Sequence, residues 1–481
     1  MPFPAALACR PTTSECVGYS QLVACLLFSW VSAPLLPLFP SPTAKHIANI
    51  SVSLFFLLGV LRLYNGTLQL VCTALVVYLL VKFRVGGARM PWVVFVVQMG
   101  HMTFTHLYRQ IADIPRTTLE ISAMQMVLCM NLTMFAWDVH DGERPIEQCD
   151  EEQRQARLER LPSLLEFYGS ALFYPSVLVG PSVRFADYAA WANGTLYGKH
   201  LPRGRLAASF SQLFVAAVAL GLTAVVLPHF NYMYLIDPAH AVFAAPFLVR
   251  FAFMQVCGLM ARTQYYGVWN LANAGCIASG MGYSGTDARG VAHWDRCRNI
   301  SIIGVEFANN VKELSDSWNI HTAVWLKNYV YKRVTAPGQK AGSMSAMITF
   351  LVSALWHGLY PGYFLTFVYL WAVQQLVRVY RKVVRPIFYA DVRTPNPTFA
   401  TLSKYTPAQL AYSAVAIATN HAVINFGAAP FIALTMIDSV RIYSSVYWYG
   451  FVGIAASFIA VNLGVGRFLR RFYAVKPAKT Q

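Results

Sequence analysis

Asn319, in "SDSWNIHT", and His357, in "SALWHGLYPGYF", are the residues whose types could do chemistry together. A neutral imidazole takes a proton from a hydroxyl as a general base, and a nearby carboxamide can orient that base, hold the hydroxyl or donate to an oxyanion. Upstream of the histidine, Ser345, Thr349 and Ser353 recur with His357 at every fourth position, so all four lie on one slowly drifting helix face. Hydroxyls on a membrane helix seldom point at lipid. A helix beginning after Gly342 carries His357 about 22 Å into a hydrocarbon layer ~30 Å thick. An ionisable side chain at that depth is costly and points to function, against the plainer alternative of a packing histidine bonded to a carbonyl or hydroxyl. The following "YPG" breaks the helix, and irregular backbone at membrane depth is tolerated only beside protein or a cavity.

The stretch that must position Asn319, Lys312 to Val334, has helical spacing. Leu314, Trp318, His321, Trp325 and Tyr329 share one face, and Asn319, Thr322, Leu326 and Arg333 a neighbouring one. This pattern predicts an amphipathic helix entering the membrane at an angle. Asn319 is either a cap, an interhelical hydrogen bond or a reacting group. The Trp and Tyr residues fit an interfacial aromatic belt. Lys327, Lys332 and Arg333 fit ordinary cytosolic charges or a phosphate site.

The rest of the chain sets the solvent. Of 481 residues 56% are hydrophobic and only 12% charged, and mean hydropathy is +0.45, which predicts an all-α polytopic membrane protein. Thirteen apolar runs, several shorter than a bilayer crossing, lead us to expect about ten to twelve membrane helices, with some runs re-entrant. Residues 1–16 lack the pattern of a cleaved signal peptide, so the run 21–39 reads as a retained anchor. Nine scattered cysteines form no Cys-x-x-Cys pair, which argues against a metal site. The net charge of +17 comes from cations flanking apolar runs, which suits anionic head groups and excludes a nucleic-acid stripe. Counting crossings places the clusters at Lys82–Arg89, Lys327–Lys340, Arg378–Arg385 and Arg467–Arg471 on one side, the cytosol by the positive-inside rule, although Arg184, Lys199, Arg203 and Arg205 fall opposite. Nine of the 21 acids crowd into one segment whose "EEQRQARLER" reads as a solvated or surface-lying helix. None of the five Asn-x-Ser/Thr sequons is a strong glycosylation signal, and no internal repeat of the transporter kind is visible.

"SDSWNIHTAVWLKNYVYKRV" at 315–334 followed by "SALWHGLYPGYF" at 353–364 resembles the paired signature of the membrane-bound O-acyltransferase family, in its lysophospholipid acyltransferase branch. "LTMFAWDVHDGE", "FYPSVLVGPSVRF", "TQYYGVWNLANAGCIASGMGYSG" and "WDRCRNISIIGVEFANNVK" agree with it. The resemblance implies a fold enclosing a membrane-buried tunnel, spanning 46–470 after an N-terminal segment 1–45 and before a basic tail 471–481. Within it lie a hydrophilic loop at 138–163, a motif segment at 287–340 and a helix pair at 343–377. It implies an endoplasmic reticulum enzyme with a cytosolic C-terminus that moves an acyl group from acyl-CoA to a lysophospholipid, among membrane lipids, without metal or nucleic acid. The family's asparagine and histidine fall on Asn319 and His357, and Trp318, Thr322, Trp325, Lys327, Arg333, Ser353 and Tyr360 are the candidate substrate-binding residues. Sterol, diacylglycerol and protein acceptors, a lipid transporter and a silent scaffold are the rival readings.

Overall fold

The computed structural model describes residues 14–115, 118–198, 200–335 and 342–465 with the single positions 339, 468 and 471, and only the backbone of 14–17. Segments 1–13 and 472–481, with Lys199, Lys340, Arg467 and Arg470 of the basic clusters, lie outside the described residues.

The chain is helical nearly throughout. Long helices α1 (Ser14–Ser32), α2 (Pro42–Leu54), α3 (Tyr64–Lys82), α4 (Met90–Ile111) and α5 (Ser122–Gly142) come first. Short α6 (Glu151–Ala156), α7 (Leu164–Ala171) and α8 (Phe185–Ala192) follow, then α9 (Arg205–Val225) packed along α10 (Phe247–Ala278). After one small hairpin, Gly285–Thr286 against Ala292–His293, come α11 (Ile302–Glu306), α12 (Val311–Ser317) and α13 (Ile320–Trp325), the last running on as a wider π-helical turn over Leu326–Tyr331. The remaining helices are α14 (Ser343–His357), α15 (Pro361–Val383), α16 (Arg385–Phe388), α17 (Pro407–Ala433), α18 (Met436–Ser445) and α19 (Tyr449–Asn462). Several starts are written in the sequence: Asp150, Ser163 and Thr406 each close a capping box with the Gln or Glu three residues on.

Among the described residues five stretches are long and apolar enough to cross a membrane, namely Gly18–Leu38, Pro42–Val60, Tyr64–Lys82, Arg205–Leu235 and Pro407–Ala433. The pair α18 and α19, bent by 73°, is a sixth candidate. Hydropathy therefore marks fewer spans than the apolar runs led us to expect. The difference lies in long helices such as α5 and α10, whose neighbours are other helices and which bury polar residues: Gln125 and Asp138 in one, Arg262, Asn270 and Asn273 in the other. The 143–160 segment also departs from expectation, because only Glu151–Ala156 of "EEQRQARLER" is helical, after a 3₁₀ turn at Ile146–Gln148, and the chain then turns back, with Leu158 donating to the Asp138 carbonyl at 2.9 Å.

The core element that matters for the site is a methionine and tryptophan cluster between α4, α5, α13 and α14. It packs Met99 and Met102 against Met126, Met130 and Met134, and these against Trp325, Tyr329 and Trp356. Thioethers are unbranched and polarisable, so they fill the irregular space between large indoles.

Candidate active site

His357 is the last residue of α14, and the helix ends because Gly358 takes φ +128°, a conformation side chains rarely adopt. Pro361 restarts the chain as α15, where Gly362 donates to the Leu434 carbonyl at 2.8 Å. A Cβ on Gly362 would lie 2.1 Å from the Pro430 carbonyl oxygen, so the turn is locked against α17. Around the imidazole stand Trp356, Phe431 edge-on at 4.9 Å, and Phe367 stacked at 5.4 Å. Its Nδ1 is buried and has no hydrogen-bond partner among the described residues. Leaving such a nitrogen unpaired costs roughly 1–3 kcal/mol, the kind of cost met where a ligand completes the site.

His357, Gly358, Tyr360 and Tyr363 line a cleft of ≈ 800 Å³ of empty space, counted out to its open mouth. Across it stand His106 and Arg109 of α4, with Glu120 and Ser122 at the start of α5. His106 Nε2 donates to the Trp356 carbonyl at 3.3 Å, so a second histidine secures the end of α14.

Asn319 sits where α12 gives way to α13, at φ 46° and ψ 54°. Asparagine is among the few residues that accept this left-handed conformation. Its Oδ1 accepts from Asn299 Nδ2 at 3.0 Å and Thr322 Oγ1 at 2.9 Å, while its Nδ2 has no acceptor among the described residues. Asn299 also braces the first turn of α13, its side chain and backbone oxygens accepting from the His321 and Ile320 amides at 3.0 and 2.8 Å.

No hydrogen bond joins Asn319 to His357 among the described residues; α5 links their surroundings instead. The Met126 carbonyl accepts from Trp356 Nε1 at 3.2 Å, Met130 Sδ lies 3.3 Å from Thr322 Oγ1, and Thr133 Oγ1 accepts from Trp325 Nε1 at 2.9 Å. Met126 and Met130 are one turn apart, about 6 Å along the axis. Thus both motif segments are fastened to neighbouring turns of one helix, and the Trp325 and Trp356 rings meet at 6.1 Å.

The membrane-bound O-acyltransferase family matches residues 107–403, a stretch that contains both motifs. The chain belongs to that family. The lysophospholipid acyltransferase of Schizosaccharomyces pombe is 34% identical over 437 residues, covering 89% of this chain and 83% of that protein. The lysophospholipid acyltransferase of Saccharomyces cerevisiae is 33% identical over 485 residues, covering 95% and 76%. Membrane-bound glycerophospholipid O-acyltransferase 1 of Mus musculus is 30% identical over 481 residues, covering 93% and 92%.

The other candidate residues of this multi-pass O-acyltransferase divide by position. Tyr360 lines the cleft, whereas Ser353 and Thr322 are buried on their helices and are not among the residues that line it. Trp318, partly buried, packs among Tyr265, Tyr266 and Trp269, and Trp325 is 0% exposed, so the latter belongs to the interior and not to an interfacial belt. The basic residues stand at the far end of α5, engaged with acids. Arg333 donates to both carboxylate oxygens of Asp141 and lies over the Trp137 ring at 4.1 Å. Lys332 bonds Asp150 at 2.7 Å and Glu152 at 2.9 Å, and Lys327 reaches Glu152 at 3.3 Å. The bond from Lys332 holds the Glu152 carboxyl below its usual range.

The sequence reading passed over His106, Arg109, Glu120 and Asn299. His106 lies at the edge of an apolar run, and the rule that singled out His357 would have found it. Asn299 carries no local signal, since its partners come from a segment twenty residues on.

Proposed function

We propose that this protein is an acyl-CoA-dependent lysophospholipid O-acyltransferase, with His357 as general base. The observation that carries the reading is the unpaired, buried Nδ1 of His357 on the wall of an open cleft. The names of the relatives support the acceptor class.

In this reading the acceptor hydroxyl gives its proton to His357 as its oxygen attacks the thioester carbonyl. A carbon–oxygen bond forms, the carbon–sulfur bond breaks, and the departing thiolate takes the proton back from the imidazolium. The alcohol is itself the nucleophile, so no acyl-enzyme is needed. Asn319 has its Oδ1 held by two donors, which fixes its Nδ2 toward a developing oxyanion or the substrate hydroxyl. The aromatic wall around His357 excludes water, the competing acceptor. The CoA phosphates would lie at the far end of α5, near Lys327 and Lys332, where they compete with Asp150 and Glu152. We place the enzyme in the endoplasmic reticulum membrane, with that end and the C-terminus in the cytosol.

The test supplies membranes containing wild type or His357→Ala with acyl-CoA and lysophospholipids of different head groups, beside a sterol and a diacylglycerol. Phospholipid formed by wild type alone is the expected result. Equal formation by both proteins removes His357 from the mechanism, and product on the sterol or diacylglycerol alone replaces the acceptor.

A further inference from the structure

The cleft beside His357 contains an ion pair that the chemistry above does not use. Arg109, in the last turn of α4, donates from Nη1 to Glu120 Oε1 at 2.8 Å. The pair is pinned from both sides: Arg109 Nη2 donates to the Pro115 carbonyl at 2.8 Å, and Glu120 Oε2 accepts from the Ser122 amide at 3.1 Å. Both side chains are largely buried, 18% and 21% exposed, and both line the cleft. We propose that the Arg109–Glu120 pair reads the acceptor head group, favouring lysophospholipids that carry both a phosphate and an ammonium. The inference rests on the lysophospholipid reading of the acceptor.

Three features support it. The first is placement: His106, which bonds the Trp356 carbonyl next to His357, lies three residues before Arg109 on α4, about 4.5 Å along that helix, and His106, Arg109 and His357 line one cleft. A lysophospholipid with its free glycerol hydroxyl at the base has its phosphate a few bonds away, within the same cleft.

The second is charge. A lone arginine in a partly desolvated cleft attracts any phosphate, but a fixed cation–anion pair is a dipole with no net charge. A zwitterionic head group lies against it head to tail, phosphate on Arg109 and ammonium on Glu120, and a head group with phosphate alone meets the carboxylate without compensation. Tyr360 and Tyr363 line the same cleft. The third is pre-organisation: backbone groups already hold both side chains, so little freedom is lost on binding. The pair also stands at the opposite end of α5 from Asp141 and Arg333, about 28 Å along the axis, which keeps it apart from the cations proposed for CoA.

The experiment measures acyl transfer by full-length wild type, Glu120→Gln, Glu120→Asp and Arg109→Lys in membranes. The acceptors are lysophosphatidylcholine, lysophosphatidylethanolamine and lysophosphatidate, matched in acyl chain. Glu120→Gln should raise KM about 10-fold for the two zwitterionic acceptors while KM for lysophosphatidate stays level or falls, a loss of one charge-assisted bond. Glu120→Asp should keep the wild-type ranking. Arg109→Lys should raise KM for all three without reordering them, and KM for acyl-CoA should not move. A purely structural clamp would instead make Glu120→Gln lower kcat alike on every acceptor, and that result overturns the proposal. Should Glu120→Gln fail to accumulate, inhibition of wild type decides: glycerophosphocholine must outcompete glycerol phosphate, and the reverse order overturns the inference. A wild type that prefers lysophosphatidate sinks the head-group reading but leaves acyl transfer intact; one that acylates none of the three sinks the acceptor reading itself.

Discussion

Asp141, near the C-terminal end of α5, is 0% exposed and accepts from two arginines, Arg333 and Arg144. Beside the other end of the same helix, His357 has a buried nitrogen that accepts from nothing and donates to nothing among the described residues. In the first region the carboxylates of Asp141, Asp150 and Glu152 are each engaged by a cation. Its cations, Lys327, Lys332 and Arg333, fold the acidic segment back over α5 and so tie residues nearly two hundred positions apart. The second region sets the His357 imidazole among aromatic rings, with Nδ1 unengaged among the described residues.

This contrast is broken most directly by comparing His357→Ala with Arg333→Ala. Loss of the base should cut turnover roughly 10²–10⁴-fold, and the melting temperature in detergent should fall only by the lost ring contacts with Phe367 and Phe431, since no hydrogen bond to Nδ1 is lost. Arg333→Ala should spare turnover and lower the melting temperature further, since buried Asp141 is left with Arg144 alone, a loss of up to about 3–5 kcal/mol. If the histidine variant melts as early as the arginine variant, the division between the two regions is wrong.

Asn319 permits a sharper cut between shape and chemistry. Asn319→Gly keeps the left-handed turn without strain and removes the carboxamide, whereas Asn319→Ala also pays for the conformation, of order 1 kcal/mol. Both variants lose the bonds from Asn299 and Thr322, so equal and large activity losses, with the alanine protein the less stable of the two, would assign the side chain a chemical role. An active glycine variant would make Asn319 a turn residue.

Smaller effects belong to the exposed rim of the paired region. Glu152→Gln frees Lys327 and Lys332 in part and should lower KM for acyl-CoA about 2-fold at low salt, less as ionic strength rises. An unchanged KM at every salt concentration would remove these lysines from the CoA site. The smallest effect is on pH. Arg160, aided by Ser163, holds the Glu166 carboxyl at about 2, below the usual 4.5. A depressed carboxylate contributes stability that is complete above its unfolded value and lost as pH falls through its folded one. Wild type should therefore lose stability between pH 4.5 and 2 in part through this group, and Glu166→Gln should flatten that portion of a melting-versus-pH curve.

What could be read from the sequence was local. The hydroxyl face, its end at His357 and the break after it all follow from spacing and from Gly and Pro, and α14 has the bounds this implies. The stretch 312–334 was legible as helix but not as two helices. Leu314, Trp318 and His321 keep helical spacing straight across Asn319, and only the backbone reveals that Asn319 turns left-handed there. The acidic segment misled for a related reason: its charges at helical spacing suit a solvated helix, yet their partners lie on the distant motif segment. Arg109 and Glu120 give no sequence signal for the same cause, since a pair split between a helix end and a turn has no period.

The anchoring of both motifs on α5 also bears on how the enzyme is made. Thr133 waits for Trp325 across 192 positions, and Met126 for Trp356 across 230. At 5–20 residues per second, α5 lies in the membrane for roughly 10–45 s before the ribosome delivers the indoles that cover it. During that interval its methionine face and its buried acids have no final neighbours. A nascent chain stalled before residue 325 is therefore the form in which this protein is most exposed to quality control, and a substitution on α5 that is mild in the finished enzyme can be decisive for the half-made one.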